Sequence, residues 1–490
     1  MKYRLRRINY PIVFRIIGLL LLIESMFMLV PTLTAYLYGE HDLIAFAGST
    51  AVTLICGLTL MVCLKPSRPD MGKHEGFLLT ALVWVVFSAF GMLPFIFCDT
   101  PMSVSDAFFE SMSGFTTTGC SVMLSVEELS HAVNIWRNLM QWIGGMGIIL
   151  FTLAVVPMLN HSGGMQMFNA EVTGITHDKL RPRISQTAKG LWLIYIVLTA
   201  VLFVLLIIGP MNVFEALCHS FSTMSTGGFS TADGSIEAWD SVYIQIVMTI
   251  FMFLGGTSFV LLYRAAHGDF KPIWRNDVFR TYVGIIFGSY LLFVIAIFKN
   301  GQAHSVKSVT LDPLFQIIST ITSTGYEVSA FSSWGTFVLS LAFALMFFGS
   351  CAGSTSGGAK IDRLIYLLKN CRNEIVRSIH PNNILTVRVN DRVIPHETVS
   401  KVIAFLCLYV MIIMVGGILL TAMGLPLVDS FFSAFSCISN TGLGAGVTGY
   451  GGSYSVVPDP GKWLLALIMM IGRLELFTVL ILFTPTFWKK

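Results

Sequence analysis

The sequence predicts an all-α polytopic membrane protein with four pseudo-symmetric span–pore-loop–span repeats around one axis, plus two N-terminal transmembrane helices. Two observations predict this fold: an apolar composition and an internal repeat. Of the 490 residues, 54% are hydrophobic and only 12% are charged, whereas a soluble domain carries about 25% charged residues. The charges are clustered, which leaves apolar stretches of about 20 residues, the length that crosses a bilayer core. An assembly of large soluble domains is therefore excluded, and the lipid bilayer is the expected environment.

The internal repeat consists of four short segments that each place a Thr-Gly pair after an apolar, hydroxyl-rich run. These segments are Phe115–Cys120, Thr223–Gly228, Ile321–Tyr326 and Ile438–Leu443. Six residues before the glycine lie Ser113, Phe221, Ser319 and Ser436, and thirteen before it lie Asp106, Phe214, Asp312 and Asp429. Four related units can close a ring around one axis. A ring of inward-facing backbone carbonyls can replace the hydration shell of a small cation, so the repeat predicts that the axis is one ion pore.

Two spans are predicted before the first repeat, at about residues 11–37 and 43–64. The basic residues between Lys2 and Arg7 resemble the start of a signal peptide. The apolar run that follows is too long for one, and no small-residue cleavage site is evident, so we predict an uncleaved first span. This N-terminal two-helix extension is placed at residues 1–75.

Each repeat is predicted to contain a span, a re-entrant segment and a second span. The repeats are placed at residues 76–175, 176–272, 273–395 and 396–490. Their paired spans are placed near 77–97 and 136–157, 190–209 and 242–264, 277–298 and 334–368, and 399–423 and 463–487. The chain then has about ten full spans. The re-entrant segments are too short to cross and suit half-helices that return as extended backbone lining a cavity.

Basic residues predict the orientation, because loops rich in Lys and Arg stay in the cytoplasm. With ten spans the basic segments all fall on one side; they are the N-terminus, 65–73, 179–189, 264–280, 360–401 and the last two residues. Both termini are therefore predicted to be cytoplasmic, and all four Thr-Gly segments to face outside. The nine cysteines are scattered without a CxxC pair, so neither a disulfide framework nor a cysteine metal site is expected.

The Thr-Gly segments are predicted to form a cation filter. The candidate filter residues are Thr117, Thr118, Gly119, Cys120, Ser225, Thr226, Gly227, Gly228, Ser323, Thr324, Gly325, Tyr326, Asn440, Thr441, Gly442 and Leu443. Glycine can adopt conformations that aim successive carbonyls inward, and the C-terminal ends of the pore helices direct partial negative charge at the axis. The alternative is that these small residues only pack helices closely. Four copies on one face favour the filter.

A candidate gate lies in the third repeat, where ten consecutive residues carry almost no bulky side chain. Glycine and serine disfavour helix, so a flexible loop beneath the filter is predicted. Arg473 is an intramembrane charge, which is costly and therefore suggests a function; it is predicted to point into the pore and to hydrogen-bond this loop. The candidate gate residues are Gly349, Gly353, Ser354, Thr355, Ser356, Gly357, Gly358 and Arg473. A packing seam and an Arg473–Glu475 structural pair are the alternatives.

Five other polar residues in apolar segments have less specific predictions. Glu24, Glu110 and His219 are predicted to be satisfied by neighbouring backbone or hydroxyl groups rather than to relay coupled ions. Arg137 and Gln141 are predicted to be interface residues near the start of the second span of the first repeat.

Four span–pore–span units with one Thr-Gly filter each resemble the Trk/Ktr/HKT superfamily of potassium transporters over essentially the whole chain. The two extra N-terminal spans resemble the bacterial Trk-type uptake subunit rather than the shorter Ktr subunit. The resemblance implies that the loop 349–358 is an intramembrane gate and that Arg473 is a barrier below the filter. Members with serine at the first filter glycine tend to pass sodium, so glycine at all four positions implies potassium preference. Only the third repeat has the Gly-Tyr pair of potassium channels, so looser discrimination is expected.

The resemblance further implies potassium uptake across the bacterial inner membrane, with K⁺ bound at the filter as the transported ion and no organic cofactor. It implies a membrane homodimer and a cytoplasmic nucleotide-binding regulatory subunit, TrkA-like, for which the basic segment 370–401 offers a docking surface. Proton- or sodium-coupled symport and a sodium-permeable pore of the same fold remain alternatives. A membrane enzyme is disfavoured because no HExxH, GxSxG or His/Asp cluster occurs, and no nucleic acid partner is expected.

Overall fold

The computed structural model describes residues 8–64, 71–159, 184–329, 331–383, 385–449 and 451–488. This part of the chain is mainly helical, with a small two-stranded sheet. The basic segments at 1–7, 65–70 and 160–183, the last two residues and the predicted repeat boundary at residue 175 lie outside the described residues. The predicted membrane orientation and repeat boundaries therefore stay predictions.

The two N-terminal helices, α1 (Tyr10–Tyr38) and α2 (Leu43–Cys63), pack closely against each other. Gly18 and Gly57 lie at their contact: a Cβ added to Gly18 would lie 2.8 Å from the Gly57 carbonyl oxygen. Small residues allow this approach of two backbones, as is usual for helices packed in a membrane. The pair packs against the first repeat mainly through α1, which contacts the two long helices of that repeat.

The four repeats follow in chain order. The first contains α3 (Lys73–Gly91), α4 (Leu93–Phe97), the pore helix α5 (Val104–Phe115) and α6 (His131–Leu159). The second contains α7 (Ile184–Ile208), the pore helix α8 (Val213–Met224), α9 (Val242–Gly255) and α10 (Phe259–Ala266). After the linker α11 (Lys271–Arg275), the third contains α12 (Asp277–Lys299), the pore helix α13 (Val306–Ile321), α14 (Thr336–Phe348) and α15 (Ile361–Ile379). The fourth contains α16 (His396–Ala422), the pore helix α17 (Leu427–Ser439), α18 (Asp459–Arg473), α19 (Phe477–Leu480) and α20 (Pro485–Trp488).

The sequence predicts a break in the second span of each repeat, at Gly144–Gly145 in the first, Gly255–Gly256 in the second and the loop 349–358 in the third. Among the described residues, six helices are long and apolar enough to cross a membrane, and up to eight spans result if each bent pair is one span. The bent pairs are α9 with α10, at 107°, and α18 with the segment Phe477–Phe483, at 114°. In the third repeat α14 and α15 are separated by residues 349–360. The second spans are broken at Gly255 and Gly256 in the second repeat, as predicted, and at Glu475 and Leu476, both with positive φ, in the fourth. The predicted break at Gly144–Gly145 is wrong, because α6 continues through these residues.

A short hairpin fills part of the segment between the third and fourth repeats. Its strands, β1 (Val387–Val389) and β2 (Arg392–Ile394), are antiparallel, with Val387 opposite Ile394. The turn residues Asn390 and Asp391 have φ of +50° and +61°, as in a type I′ turn. Asn390 docks the hairpin on the start of α12, because its Oδ1 accepts from the Asp277 amide at 2.7 Å.

Three of the four pore helices carry an acid in their first turn. Ser103 accepts from the Asp106 amide, and Asn212 accepts from the Glu215 amide in a reciprocal capping box. Asp429 lies in the first turn of α17. An acid in the first turn is stabilised by the helix dipole. The third pore helix differs, because it begins at Val306, so that Asp312 lies in its second turn and not at its start as predicted.

Candidate ion pathway

Each pore helix ends in the same backbone turn. An amide N–H donates to the carbonyl five residues earlier in the pairs Thr118–Ser113, Gly227–Ser222, Thr324–Ser319 and Thr441–Ser436, at 2.8–3.0 Å. The residues on either side of that amide have φ between +50° and +85°, in the pairs Thr117 and Gly119, Thr226 and Gly228, Ser323 and Gly325, and Asn440 and Gly442. Positive φ is uncommon for a residue with a side chain. Its recurrence at four matched positions identifies four copies of one structure.

In the second repeat this turn lies one residue later than the Thr-Gly pairs of the sequence indicate. Gly228, with a φ of +83°, takes the position of Gly119, with a φ of +85°. Gly227 has no positive φ and takes the position that threonine holds in the other three repeats. The predicted equivalence of Gly227 with Gly119 is therefore wrong. With the corrected alignment, this filter position is still a glycine with positive φ in all four repeats. A Gly-Gly pair offers two possible alignments, and only backbone conformation distinguishes them.

The shifted alignment also restores the polar positions of the repeat. Ser222 rather than Phe221 matches the buried serine of the other pore helices. Glu215 rather than Phe214 matches the acids of the other repeats, which are Asp106, Asp312 and Asp429. Ser225 then lies just before the filter turn, at the end of α8. Both matches were available in the sequence and are the signal that could have shown the correct alignment.

The four filter turns contact one another in cyclic order. A Cβ added at Gly119 would overlap the carbonyl oxygen of Gly227, one at Gly228 that of Thr324, one at Gly325 that of Thr441, and one at Gly442 that of Thr118. The glycine of each repeat thus faces a carbonyl of the next, and the fourth repeat returns to the first. The same four glycines line one side of an open outer vestibule of about 850 Å³.

The side chains after these glycines lie behind the ring rather than in it. Cys120, Phe229, Tyr326 and Leu443 occupy this position, and all four are buried. The Tyr326 hydroxyl donates to the Phe229 carbonyl at 3.3 Å, which connects the second and third filter turns.

The predicted loop after α14 crosses directly beneath the filter. Its amides bond to the second and fourth repeats and to the filter turn of its own repeat. Cys351 donates to the Gly256 carbonyl at 3.1 Å, and Gly358 donates to the Ser439 carbonyl at 2.9 Å. Gly357 donates to the Ser323 hydroxyl at 2.6 Å. The Thr355 hydroxyl lies 3.3 Å from that of Thr226. These bonds tie the loop to the inner ends of the second, third and fourth repeats.

Arg473 lies in the same layer, at the end of α18. Its Nη1 donates to the Thr355 carbonyl at 2.8 Å, and its Nη2 donates to the Gly144 carbonyl at 3.0 Å. The guanidinium therefore joins the loop of the third repeat to the second span of the first. It lines a chamber below the filter, of about 430 Å³, together with Asn440, Lys360, Arg363 and Glu475.

Glu475 pairs with Arg363 of α15, at 2.5 Å, and not with Arg473. Arg363 also lies over the Phe405 ring, with 4.1 Å between its Cζ and the ring centroid. The pair connects the helix that follows the loop with the bend that follows Arg473. Neither residue of this link was predicted to act in it, because the sequence does not show that the two helices meet.

Replacement Glu475→Gln should destabilise the protein, because Arg363 would keep a buried charge without its partner. The side chains are 8% and 21% exposed, and breaking a buried pair costs about 3–5 kcal/mol, so we expect a loss near 3 kcal/mol. The measurement is the midpoint of chemical unfolding in detergent. Glu397→Gln is the matched control, since its pair with Lys401 is 70–80% exposed and should change the midpoint little. Equal shifts in both variants would contradict a structural role for the Arg363–Glu475 pair.

The outer vestibule carries a buried ion pair beside the first filter turn. Glu110 accepts from Arg137 Nε at 2.8 Å and from the Val122 amide at 2.9 Å. Arg137 Nη2 donates to the Ser121 hydroxyl at 3.0 Å, and its Cζ lies 4.3 Å from the Phe229 ring centroid. These contacts satisfy Glu110 as predicted and connect the segments that follow the first and second filters.

Two outer-loop acids at the mouth have shifted pKa values. A hydrogen bond from Lys307, reinforced by its charge, lowers the pKa of Asp240. Burial, and then the nearby Glu237, raise the pKa of Glu327 to about 8. Burial therefore favours the neutral form of the Glu327 carboxyl, which lines the vestibule.

The other polar residues singled out in the sequence, His219, Glu24 and Gln141, differ in whether their side chains have hydrogen-bond partners. His219 contacts the Glu215 carbonyl at 2.8 Å and the Ser230 hydroxyl at 3.2 Å, as predicted. Glu24 is buried, and neither of its oxygens has a hydrogen-bond partner among the described residues, which differs from the prediction. Gln141 is buried at the contact between α6 of the first repeat and the second filter turn.

Comparisons with known proteins agree with this architecture. The family model of TrkH, a cation transport protein, matches residues 44–490. The Trk system potassium uptake protein TrkH of Escherichia coli K12 is 36% identical over 485 residues, covering 98% of this chain and 100% of the relative. TrkG of the same organism is 31% identical, covering 96% and 97%. The crystal structure of the potassium transporter TrkH from Vibrio parahaemolyticus has a TM-score of 0.89 at 34% identity, covering 98% of this chain and 100% of that one. These matches confirm the all-α membrane fold and the resemblance, and the chain belongs to the TrkH family of cation transport proteins.

Proposed function

We propose that this chain mediates potassium uptake through a pore whose selective part is the ring of four filter turns. The observation that carries the proposal is the cyclic contact of Gly119, Gly228, Gly325 and Gly442 with the carbonyls of the neighbouring repeats. A ring of backbone oxygens can replace the hydration shell of K⁺. The relatives are named as potassium uptake proteins and transporters, so the chain is a transporter and not an enzyme.

The proposed gate is the loop 349–358 held by Arg473. The bonds of Arg473 to the carbonyls of Thr355 and Gly144 support a closed state in which a positive charge lies below the filter. We propose that a cytoplasmic nucleotide-binding regulatory subunit acts on this gate through α15, which joins the loop directly and pairs with the bend after α18. A homodimer in the bacterial inner membrane with cytoplasmic termini completes the proposal.

Purified protein in liposomes tests the function through uptake of rubidium, potassium and sodium. In Gly119→Ser the added Cβ and hydroxyl would displace the Gly227 carbonyl, since a Cβ there overlaps that oxygen. We expect the preference for potassium over sodium to fall by about tenfold, which corresponds to about 1.4 kcal/mol. A selectivity that is the same in both proteins would contradict the filter. Uptake that needs an added proton or sodium gradient would favour symport.

A further inference from the structure

Three of the four filter turns share a side-chain brace that the second lacks. In each of the three, the threonine between the two positive-φ residues bonds to a hydroxyl two residues earlier. The pairs are Thr116 with Thr118 at 2.7 Å, Thr322 with Thr324 at 2.8 Å, and Ser439 with Thr441 at 2.8 Å. In the second turn the corresponding residue is Gly227, which has no side chain, and Ser225 donates instead to the Ser222 carbonyl at 3.0 Å.

The carboxamide of Gln141 occupies the place of the missing threonine. Gln141 belongs to α6 of the first repeat and is fully buried. A Cβ added at Gly227 would overlap the carboxamide of Gln141. Gly227 has no positive φ, so its backbone would accept a side chain; the space is closed by Gln141 and not by conformation.

The hydrogen bonds of Gln141 all go to the second filter turn or its pore helix. Its Nε2 donates to the Gly227 carbonyl at 2.7 Å. Its Oε1 accepts from the Ser222 hydroxyl at 2.6 Å and from the Phe229 amide at 3.1 Å. The Gly227 carbonyl is the oxygen that faces Gly119 in the ring. One side chain therefore sets the direction of this carbonyl and joins the two ends of the turn.

From this geometry we infer that Gln141 is a positioning residue for ion selectivity, which supplies to the second filter turn the brace that threonine supplies to the others. Without it Gly227 would be an unbraced glycine in the ring, free to rotate its carbonyl because glycine has the widest choice of backbone conformations. The inference rests on the proposed function, since it gives one residue a role in the proposed filter. It also predicts that a variant with both Gln141→Ala and Gly227→Thr keeps a braced second filter turn.

The test is the rubidium-to-sodium uptake ratio of proteoliposomes carrying Gln141→Ala, Gly227→Thr and the double variant. Gln141→Ala should lower the ratio at least tenfold while cation uptake continues, because the ring remains but one carbonyl is no longer fixed. Gly227→Thr alone should also lower it, because the new side chain overlaps Gln141. The double variant should recover most of the wild-type ratio, since threonine then braces the turn as it does in the other three repeats.

Gln141→Glu and Gln316→Leu complete the experiment. Glutamate keeps the size of Gln141 and its acceptor oxygen but loses the donor to the Gly227 carbonyl, so the ratio should fall even if the alanine variant does not fold. Gln316 is another fully buried glutamine, on a pore helix, whose carboxamide has no partner among the described residues; its replacement by leucine should leave the ratio unchanged.

Folded Gln141→Ala and Gln141→Glu proteins with wild-type ratios would overturn the inference, and so would a double variant no better than either single variant. Failure of the proposed function looks different. In that case the wild-type protein, and not only the Gln141 variants, would show no preference for rubidium over sodium.

Discussion

Replacement of Gly228 by alanine should lower the preference for potassium over sodium at least tenfold. Gly228 has a φ of +83°, and a Cβ there would overlap the carbonyl oxygen of Thr324 in the third repeat. Holding a residue with a side chain in this backbone region costs about 1–3 kcal/mol of stability. The overlap adds a second effect, because it would displace the Thr324 carbonyl, which is a proposed ion ligand. We expect selectivity to fall by at least tenfold, together with a lower rate of potassium uptake.

Gly268→Ala is the matched control for this prediction. Gly268 has a φ of +85°, but a Cβ there would meet nothing within 4 Å, so it carries the conformational cost without the overlap. The measurement is the same rubidium, potassium and sodium uptake in liposomes, with the unfolding midpoint to check folding. If the two alanine variants lost selectivity equally, or neither did, Gly228 would not belong to a filter.

Replacement of Arg473 by glutamine should increase potassium uptake in the absence of any regulatory subunit. The guanidinium lines the chamber below the filter and holds the Thr355 and Gly144 carbonyls. A positive charge opposes a cation about 5 Å away by about 3 kcal/mol at an effective dielectric constant of 20, which corresponds to about a hundredfold in rate. Glutamine removes this repulsion and breaks the guanidinium link between the Thr355 carbonyl of the loop and the Gly144 carbonyl of α6.

The control for this prediction is Arg372→Gln, which removes the same charge from an exposed position on α15. Its uptake should match that of the wild-type protein. An Arg473→Gln protein that folds normally and transports no faster than the wild type would show that this arginine is not the barrier. A variant that is faster for sodium and potassium alike would place the barrier outside the selective part of the pore.

The sequence predicted the components of this site better than their alignment. The filter segments, the loop beneath them and the intramembrane arginine are all recognisable as local runs of glycine, serine and charge in an apolar chain. The position of the second filter was wrong by one residue, because the Thr-Gly pair is a local match and the positive φ of Gly228 is a property of the folded backbone. The match of Ser222 and Glu215 to the other repeats would have corrected it.

Most contacts between repeats could not be predicted; the predicted bond of Arg473 to the loop of the third repeat is the exception. Gln141 and Gly227 are 86 residues apart, and Arg363 and Glu475 are 112 apart. Composition places each of these residues in or near an apolar helix, where a polar group needs a partner, but it does not say which one. The breaks in the second spans of the second and third repeats, by contrast, were predictable from their glycines, whereas α6 continues through the predicted break in the first repeat.

The filter ring is encoded in one chain rather than assembled from four identical copies. In a homotetramer a substitution occurs in all four subunits, so it changes all four quadrants of the ring at once. Here the second quadrant has Gly227 together with Gln141 of the first repeat at the position where the other quadrants have threonine. Each quadrant can therefore vary alone, so that in the proposed filter a substitution in one repeat leaves the residues that the other three contribute to the ring unchanged.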